Sequence, residues 1–425
     1  MPRLTAKYRS WLLILTVAMC LRVAAGVWWQ SRLGPGRQFF FPDSGTYWEL
    51  GRTIAEGTPY QYLSPDARVL RTPGYPLFLA PLFWIYGDHP PIICARVLNA
   101  ALGTLAVGVI GWWGTQLFNG RAGRVAGWIA ALYPGAVAMS AFVLTEAPFC
   151  VFMLLELALW GAAWRAGSNR RCTVLALMAG AAAAAATLIR PSWLLFTPLA
   201  AIVGLAADQR RGRQLLMGVT TAGGLVVCML PWWIRNARET GHFVPTTLQL
   251  GASMYDGLNP TADGGSNMSF VDEFVADERA SVVAMPQDEP FEYRLDRRML
   301  RAALAWARGN PARVAQLAAA KFVRLWNVWP NEPSLRSWPL RLVVLATYGP
   351  LLCLSLVGVW RFTPRGWPFI VAWLPAVYFT LLHIVFVGSI RYREPAMLAS
   401  MVLASGVVVG AKRYSAASST GASRA

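Results

Sequence analysis

The sequence predicts an all-α polytopic membrane protein of about ten transmembrane helices, with interfacial helices in a first outer loop and one large outer segment. Three observations carry this reading. Of 425 residues, 56% are hydrophobic and only 14% charged, against about a quarter charged in an average soluble domain. Apolar runs long enough to cross a bilayer recur along the chain. The basic residues gather in every second loop between those runs. An ordinary soluble enzyme is thereby excluded. The formal charge of +18 does not signal nucleic acid, because nucleic-acid binders cluster basic residues on a water-exposed face, and most of this chain is too apolar to present one.

The first run, 10–29, follows the basic residues Arg3, Lys7 and Arg9. It is too long, and too clearly followed by further spans, for a cleaved signal peptide. Arg22 is its one costly residue, expected to snorkel or to face other helices. Further spans are expected at 91–118, 125–141, 147–164, 172–189, 191–207, 215–234, 340–360, 367–387 and 395–411. The alanine run at 181–186 offers a smooth surface for close helix packing. Residues 74–86 are apolar but too few to span, and read as interfacial or re-entrant.

With the N-terminus inside, the loops 118–124, 165–171, 208–213 and 361–365 and the two tails hold 16 of the 39 Lys and Arg but one acid, Asp208. That alternation puts both termini in the cytoplasm of a multi-pass plasma (inner) membrane protein. It leaves two large outer segments, 30–90 and 235–339. The chain therefore divides into an N-terminal transmembrane module (1–234), the large outer segment (235–339), C-terminal transmembrane helices (340–412) and a small polar tail (413–425) expected to be disordered. Eight acids lie between Asp272 and Asp296. Two amphipathic runs, 291–308 and 311–329, are split by Gly309-Asn310-Pro311, a stop-and-start signal. Trp306, Trp326 and Trp329 are expected to anchor them at the membrane surface. The six cysteines all lie in or beside apolar segments, so the segment 235–339 has no disulfide. His89, His242 and His383 are far apart and read as structural.

The outer loops and span ends carry the candidate chemistry. In Phe41-Pro42-Asp43-Ser44-Gly45-Thr46-Tyr47, the residues Tyr47, Leu50 and Ile54 share one helical face, which makes Asp43 a helix N-cap. A capping carboxylate can still accept a proton from a bound hydroxyl. Arg71-Thr72-Pro73-Gly74-Tyr75-Pro76 is a shaped loop, with Arg71 either functional or an interface residue. Glu146 opens a span, where its charge suits the helix dipole and where it could also help bind an acceptor. Glu156, deeper in the same span, requires a partner or a cavity. Arg190 lies at an outer turn, and Arg391-Tyr392-Arg393-Glu394 fill another. Guanidinium pairs with phosphate in a bidentate fork, so Arg391, Arg393 and Tyr392 suit an anion cradle as well as they suit anchorage. Asp43, Arg71, Glu146, Arg190 and Arg391 all fall on one side of the topology. That convergence suggests chemistry on a lipid-linked phosphate.

The chain resembles the bacterial members of the dolichyl-phosphate-mannose protein mannosyltransferase superfamily, polytopic transferases of the GT-C fold that include the aminoarabinose transferases of lipid A. The resemblance rests on Asp43-Ser44-x-x-Tyr47, the Arg71-x-Pro-Gly-Tyr-Pro stretch, Leu144-Thr145-Glu146 and Arg190-Pro191. Pro231-Trp232-x-x-Arg235-Asn236, Gly241-x-Phe243-Val244-Pro245 and Arg391-Tyr392-Arg393-x-Pro395 add to it. It implies a glycosyltransferase that takes a sugar from a polyprenyl-phosphate co-substrate to an envelope lipid, glycan or protein acceptor on the outer face, with inversion. It also implies Asp43 as general base, with Arg391 and Arg393, then Arg190 and Arg71, on the donor phosphate. Many relatives carry a second acid beside the first. Here its neighbours are Pro42 and Ser44, which leaves that role to Glu146 and does not indicate a divalent metal. The alternative is a transporter or flippase of lipid-linked saccharides, against which stand the lack of an internal repeat and the long outer segment. A non-catalytic envelope subunit is a second alternative, and would tolerate Asp43→Asn.

Overall fold

A computed structural model describes residues 2–34, 36–284, 289–329 and 337–411, and among these it has 17 α-helices and short 3₁₀ turns but no strand. The tail 413–425 lies outside the described residues. The chain opens with α1 (Pro2–Arg32), followed by α2 (Pro42–Glu56) and the short apolar α3 (Gly74–Tyr86), then α4 (Ile92–Leu117). Next come α5 (Gly120–Leu132), α6 (Pro134–Ala141), α7 (Glu146–Arg165), α8 (Asn169–Ile189), α9 (Phe196–Ala207) and α10 (Arg211–Thr240). The polar segment folds as α11 (Leu250–Gly257), α12 (Val271–Ala284), α13 (Phe291–Gly309) and α14 (Pro311–Trp326). The chain then returns through α15 (Trp338–Phe362), α16 (Trp367–Val385) and α17 (Ile390–Val408).

Seven helices, α1, α4, α7, α8, α10, α15 and α16, are long and apolar enough to cross a membrane. The protein is a multi-pass membrane protein. The other three expected spans are also helical, but each departs from one straight rod. Residues 125–141 are split into α5 and α6 because Tyr133 is extended and Pro134 starts a new helix. The run 191–207 begins with a 3₁₀ turn, Pro191–Trp193, before the 12 residues of α9. The helix α17 has 19 residues but carries Arg391, Arg393 and Glu394 in its first turns.

The break between α5 and α6 accounts for Arg22. Pro134 has no N–H for the Ala130 carbonyl, and Arg22 supplies the missing donors: it bonds the carbonyls of Ala130 at 3.0 Å and Ala131 at 3.3 Å. Of its two expected fates, Arg22 takes the inward one. Glu156 likewise has partners, accepting from Trp193 Nε1 at 2.6 Å and Thr197 Oγ1 at 3.1 Å. These bonds fasten the 3₁₀ turn and α9 to α7. Backbone proximity between α8 and α10 depends on small residues, since a Cβ on Gly180 would meet the Thr221 carbonyl oxygen at 2.1 Å. The core is aromatic and fully buried at Trp113, Trp160, Trp193 and Trp367.

The stop-and-start at Gly309-Asn310-Pro311 separates α13 from α14 as the sequence implies. Trp326 differs from its expected role as a surface anchor: its indole N–H bonds Thr380 Oγ1 of α16 at 3.0 Å. On the same helix, fully buried Lys321 donates to the Val385 carbonyl at 2.6 Å, so α14 is seated on the end of α16.

Candidate active site

Asp43, Arg71, Glu146, Arg190 and Arg391 come together at one end of the helix bundle, and Asp43 gets there by a different route from the one its sequence suggests. Phe41 is the extended residue that precedes α2, Pro42 occupies the first helical position, and no side chain caps the helix. Pro42 suits that position because the N–H it lacks has no partner there anyway. Asp43 is thus one residue inside the helix, and its carboxylate goes to a guanidinium: Oδ1 accepts from Arg71 Nη2 at 2.6 Å.

Arg71 is fixed from several sides. Its Nη1 donates to Gln249 Oε1 at 2.7 Å, its carbonyl accepts from the Tyr60 hydroxyl at 3.1 Å, and its guanidinium lies 5.2 Å from the Tyr47 ring centre. Burial pushes the Tyr47 and Tyr60 phenols up, so both remain protonated donors. Three residues on, Gly74 opens α3 against the end of α8, where a Cβ would come within 2.6 Å of the Leu188 carbonyl oxygen. The loop of Arg71 is therefore pressed directly against the turn that carries Arg190.

The second carboxylate is placed differently. Glu146 is the first residue of α7, and its Oε1 faces two cations, Arg391 Nε at 2.9 Å and Arg190 Nη1 at 3.3 Å. Its side chain is 3% exposed, against 41% for Asp43. Tyr392 lies between the two arginines, each 5.1 Å from its ring centre, and is stacked on His383 at 4.2 Å. Arg391 also lies 5.3 Å from the Phe41 ring, which ties this triad to the start of α2.

Arg393 does not join the cluster. Residues two apart on a helix do not face each other, and while Arg391 turns to Glu146, Arg393 is buried on another side of α17. There it donates to the carbonyls of Leu325 at 3.2 Å and Asn327, with its guanidinium 3.6 Å from the Tyr348 ring centre. It fastens the end of α14 and α15 to α17.

Sequence reasoning missed Gln249, His383 and Phe41. Gln249 carries no motif, and only the fold of 235–339 brings it to Arg71. His383 read as structural because nothing along the chain relates it to Tyr392. Phe41 had a signal, since it adjoins Pro42-Asp43. The two carboxylates are both committed to arginine, and among the described residues no three His, Cys, Asp or Glu side chains gather as a metal site.

Comparison with known proteins bears on the fold. No family profile matches the sequence, and no curated protein matches it. Among solved structures, the apo oligosaccharyltransferase of Archaeoglobus fulgidus overlays with a TM-score of 0.59 at 16% identity, covering 94% of this chain and 50% of that one. AglB of the same organism, in complex with an inhibitory peptide and a dolichol-phosphate, gives 0.57 at 14% identity over 94% and 50%. ArnT from Cupriavidus metallidurans, bound to undecaprenyl phosphate, overlaps more loosely, at 0.47 and 15% identity over 94% and 77%. The chain spans about half the length of the archaeal proteins it matches. Over 94% of its length the chain shares the helical fold of the two archaeal structures.

Proposed function

We propose that the protein is an integral-membrane glycosyltransferase. It moves a sugar from a polyprenyl-phosphate donor to an envelope lipid, glycan or protein acceptor, on the outer face of the plasma membrane and with both termini cytoplasmic. The observation that carries this reading is the set of three guanidiniums facing two carboxylates at one end of the bundle, with Asp43 the more exposed of the two carboxylates. A cradle with one cation in excess suits a phosphate at headgroup depth. The dolichol-phosphate held by the archaeal protein of like fold supports the same ligand class.

In the proposed reaction the acceptor hydroxyl oxygen attacks the anomeric carbon from the face opposite the phosphate. The new C–O bond forms as the bond from carbon to phosphate oxygen breaks, and configuration inverts. The hydroxyl proton passes to the Asp43 carboxylate, and the electron pair leaves with the polyprenyl phosphate. Arg391 and Arg190, held in place beforehand, stabilise that leaving charge. Arg71 links the two roles, because a phosphate that draws it away frees Asp43 to act as base. Glu146, closed to solvent and shared by two cations, holds the cradle.

The test is purified protein reconstituted with a panel of polyprenyl-phosphate sugars. Transfer of one sugar by the wild type, lost at least ~100-fold in Asp43→Asn with folding intact, is the expected result. An Asn variant with normal turnover ends the assignment of Asp43.

A further inference from the structure

The candidate site is finished by a helix that touches none of its reacting groups. One face of α13 buries Glu292, Asp296, Met299 and Ala303, a spacing that places them on one side of the helix. Two of the four are carboxylates one turn apart, which is unusual for a buried face. Each is used on backbone. Glu292 Oε2 accepts from the amides of Arg68 at 2.8 Å and Val69 at 2.9 Å, more than 220 residues away in sequence. Asp296 Oδ1 accepts from the Gly251 amide at 2.6 Å. The fit is close: a Cβ on Gly251 would lie 1.9 Å from the Asp296 carbonyl oxygen.

Those amides belong to the two stretches that meet on Arg71. Val69 is two residues before it, and Gly251 is two residues after Gln249, its hydrogen-bond partner. The stretches are also joined to each other, through the Leu248 amide and the Val69 carbonyl at 3.0 Å.

We propose that α13 is a two-pronged clamp, in which Glu292 and Asp296 are positioning residues that hold the Arg71 loop and the Gln249 turn so that Arg71 meets Asp43. Its catalytic consequence rests on the glycosyltransferase reading; its structural consequence does not. A side chain misplaced by about 1 Å can cost roughly a hundredfold in rate, so a helix that sets Arg71 affects turnover without contacting substrate.

The experiment uses the full chain in detergent or nanodiscs, with two readouts. In hydrogen exchange, Glu292→Ala should accelerate the amides of Arg68 and Val69 and the residues up to Thr72, while α4 and α7 keep wild-type protection. Glu292→Gln retains an acceptor oxygen and should restore most of that protection. In transfer assays, Glu292→Ala should lower kcat/KM about tenfold or more and add little once Arg71→Gln is already present, since both act through one group. Unchanged exchange at 68–72 in Glu292→Ala overturns the clamp. So do losses that multiply fully in the double variant. If the wild type transfers no sugar at all, the glycosyltransferase reading fails and the exchange result alone decides the clamp.

Discussion

The two carboxylate–arginine groups at the site end differ in exposure and in the number of their partners. Asp43 has one guanidinium and is 41% exposed, whereas Glu146 has two and is 3% exposed. A carboxylate that water still reaches is screened and held less firmly than a buried one. A buried carboxylate with two cations cannot leave them without stranding charge in a low-dielectric setting. In the proposed reaction the first group is the one that takes the proton, and the second is the scaffold that keeps two cations side by side.

Substitutions can break or refine that contrast. Asp43→Asn is expected to have the largest effect, a loss of about 10² to 10⁴ in transfer with the detergent Tm unchanged. A parallel fall in Tm would make the exposed pair structural after all. Glu146→Gln should damage both properties, lowering stability by on the order of 3 kcal/mol as well as turnover, measured by thermal unfolding beside the assay. A Gln variant that folds normally would remove the scaffold assignment.

Within Arg391-Tyr392-Arg393 the same contrast recurs at smaller scale. Arg391→Gln should raise the donor KM roughly tenfold, from the loss of one charge-assisted contact. Arg393→Gln should leave KM alone and lower Tm, because it frees the carbonyls of Leu325 and Asn327. Equal KM changes in both would contradict the geometry.

The smallest expected effect is on pH dependence. Burial pushes the Glu292 carboxyl from its usual 4.5 up to about 7, against the opposing pull of the Val69 and Arg68 amides and of Arg235; Asp296 on its own helix adds to the rise. The folded state then holds the proton more tightly than the unfolded chain. Its stabilising contribution is complete below about pH 4.5 and is lost as pH rises through about 7. Glu292→Gln should flatten this part of a Tm-against-pH curve, and an unaltered slope would place the titration elsewhere.

Fold class was legible in the sequence because bilayer-length apolar runs and alternating loop charge are local signals. Boundaries at Pro134 and Pro191 were less so, since a proline within an apolar run marks either a kink or a break and packing decides which. Asp43, Arg71, Glu146, Arg190 and Arg391 stood out because polar groups at span ends are conspicuous. Their pairing was not visible, as it depends on contacts such as Arg71 to Gln249 across 178 positions. Arg393 misled because sequence proximity to Arg391 was taken as shared direction, which two-residue helical spacing denies. Glu292 and Asp296 stood in the sequence only as two of eight acids between Asp272 and Asp296, and the fold shows them turned inward.

The missing side chain at position 74 has a consequence for redesign. Since α3 and α8 touch there through backbone, the spacing of the main-chain segments that carry Arg71 and Arg190 is fixed whatever rotamers the two arginines adopt. Gly74→Ala would force the two elements apart and act as a coarse adjustment of headgroup size. A shift in preference from monophosphate- toward diphosphate-linked donors in that variant would show that one glycine calibrates what the cradle admits.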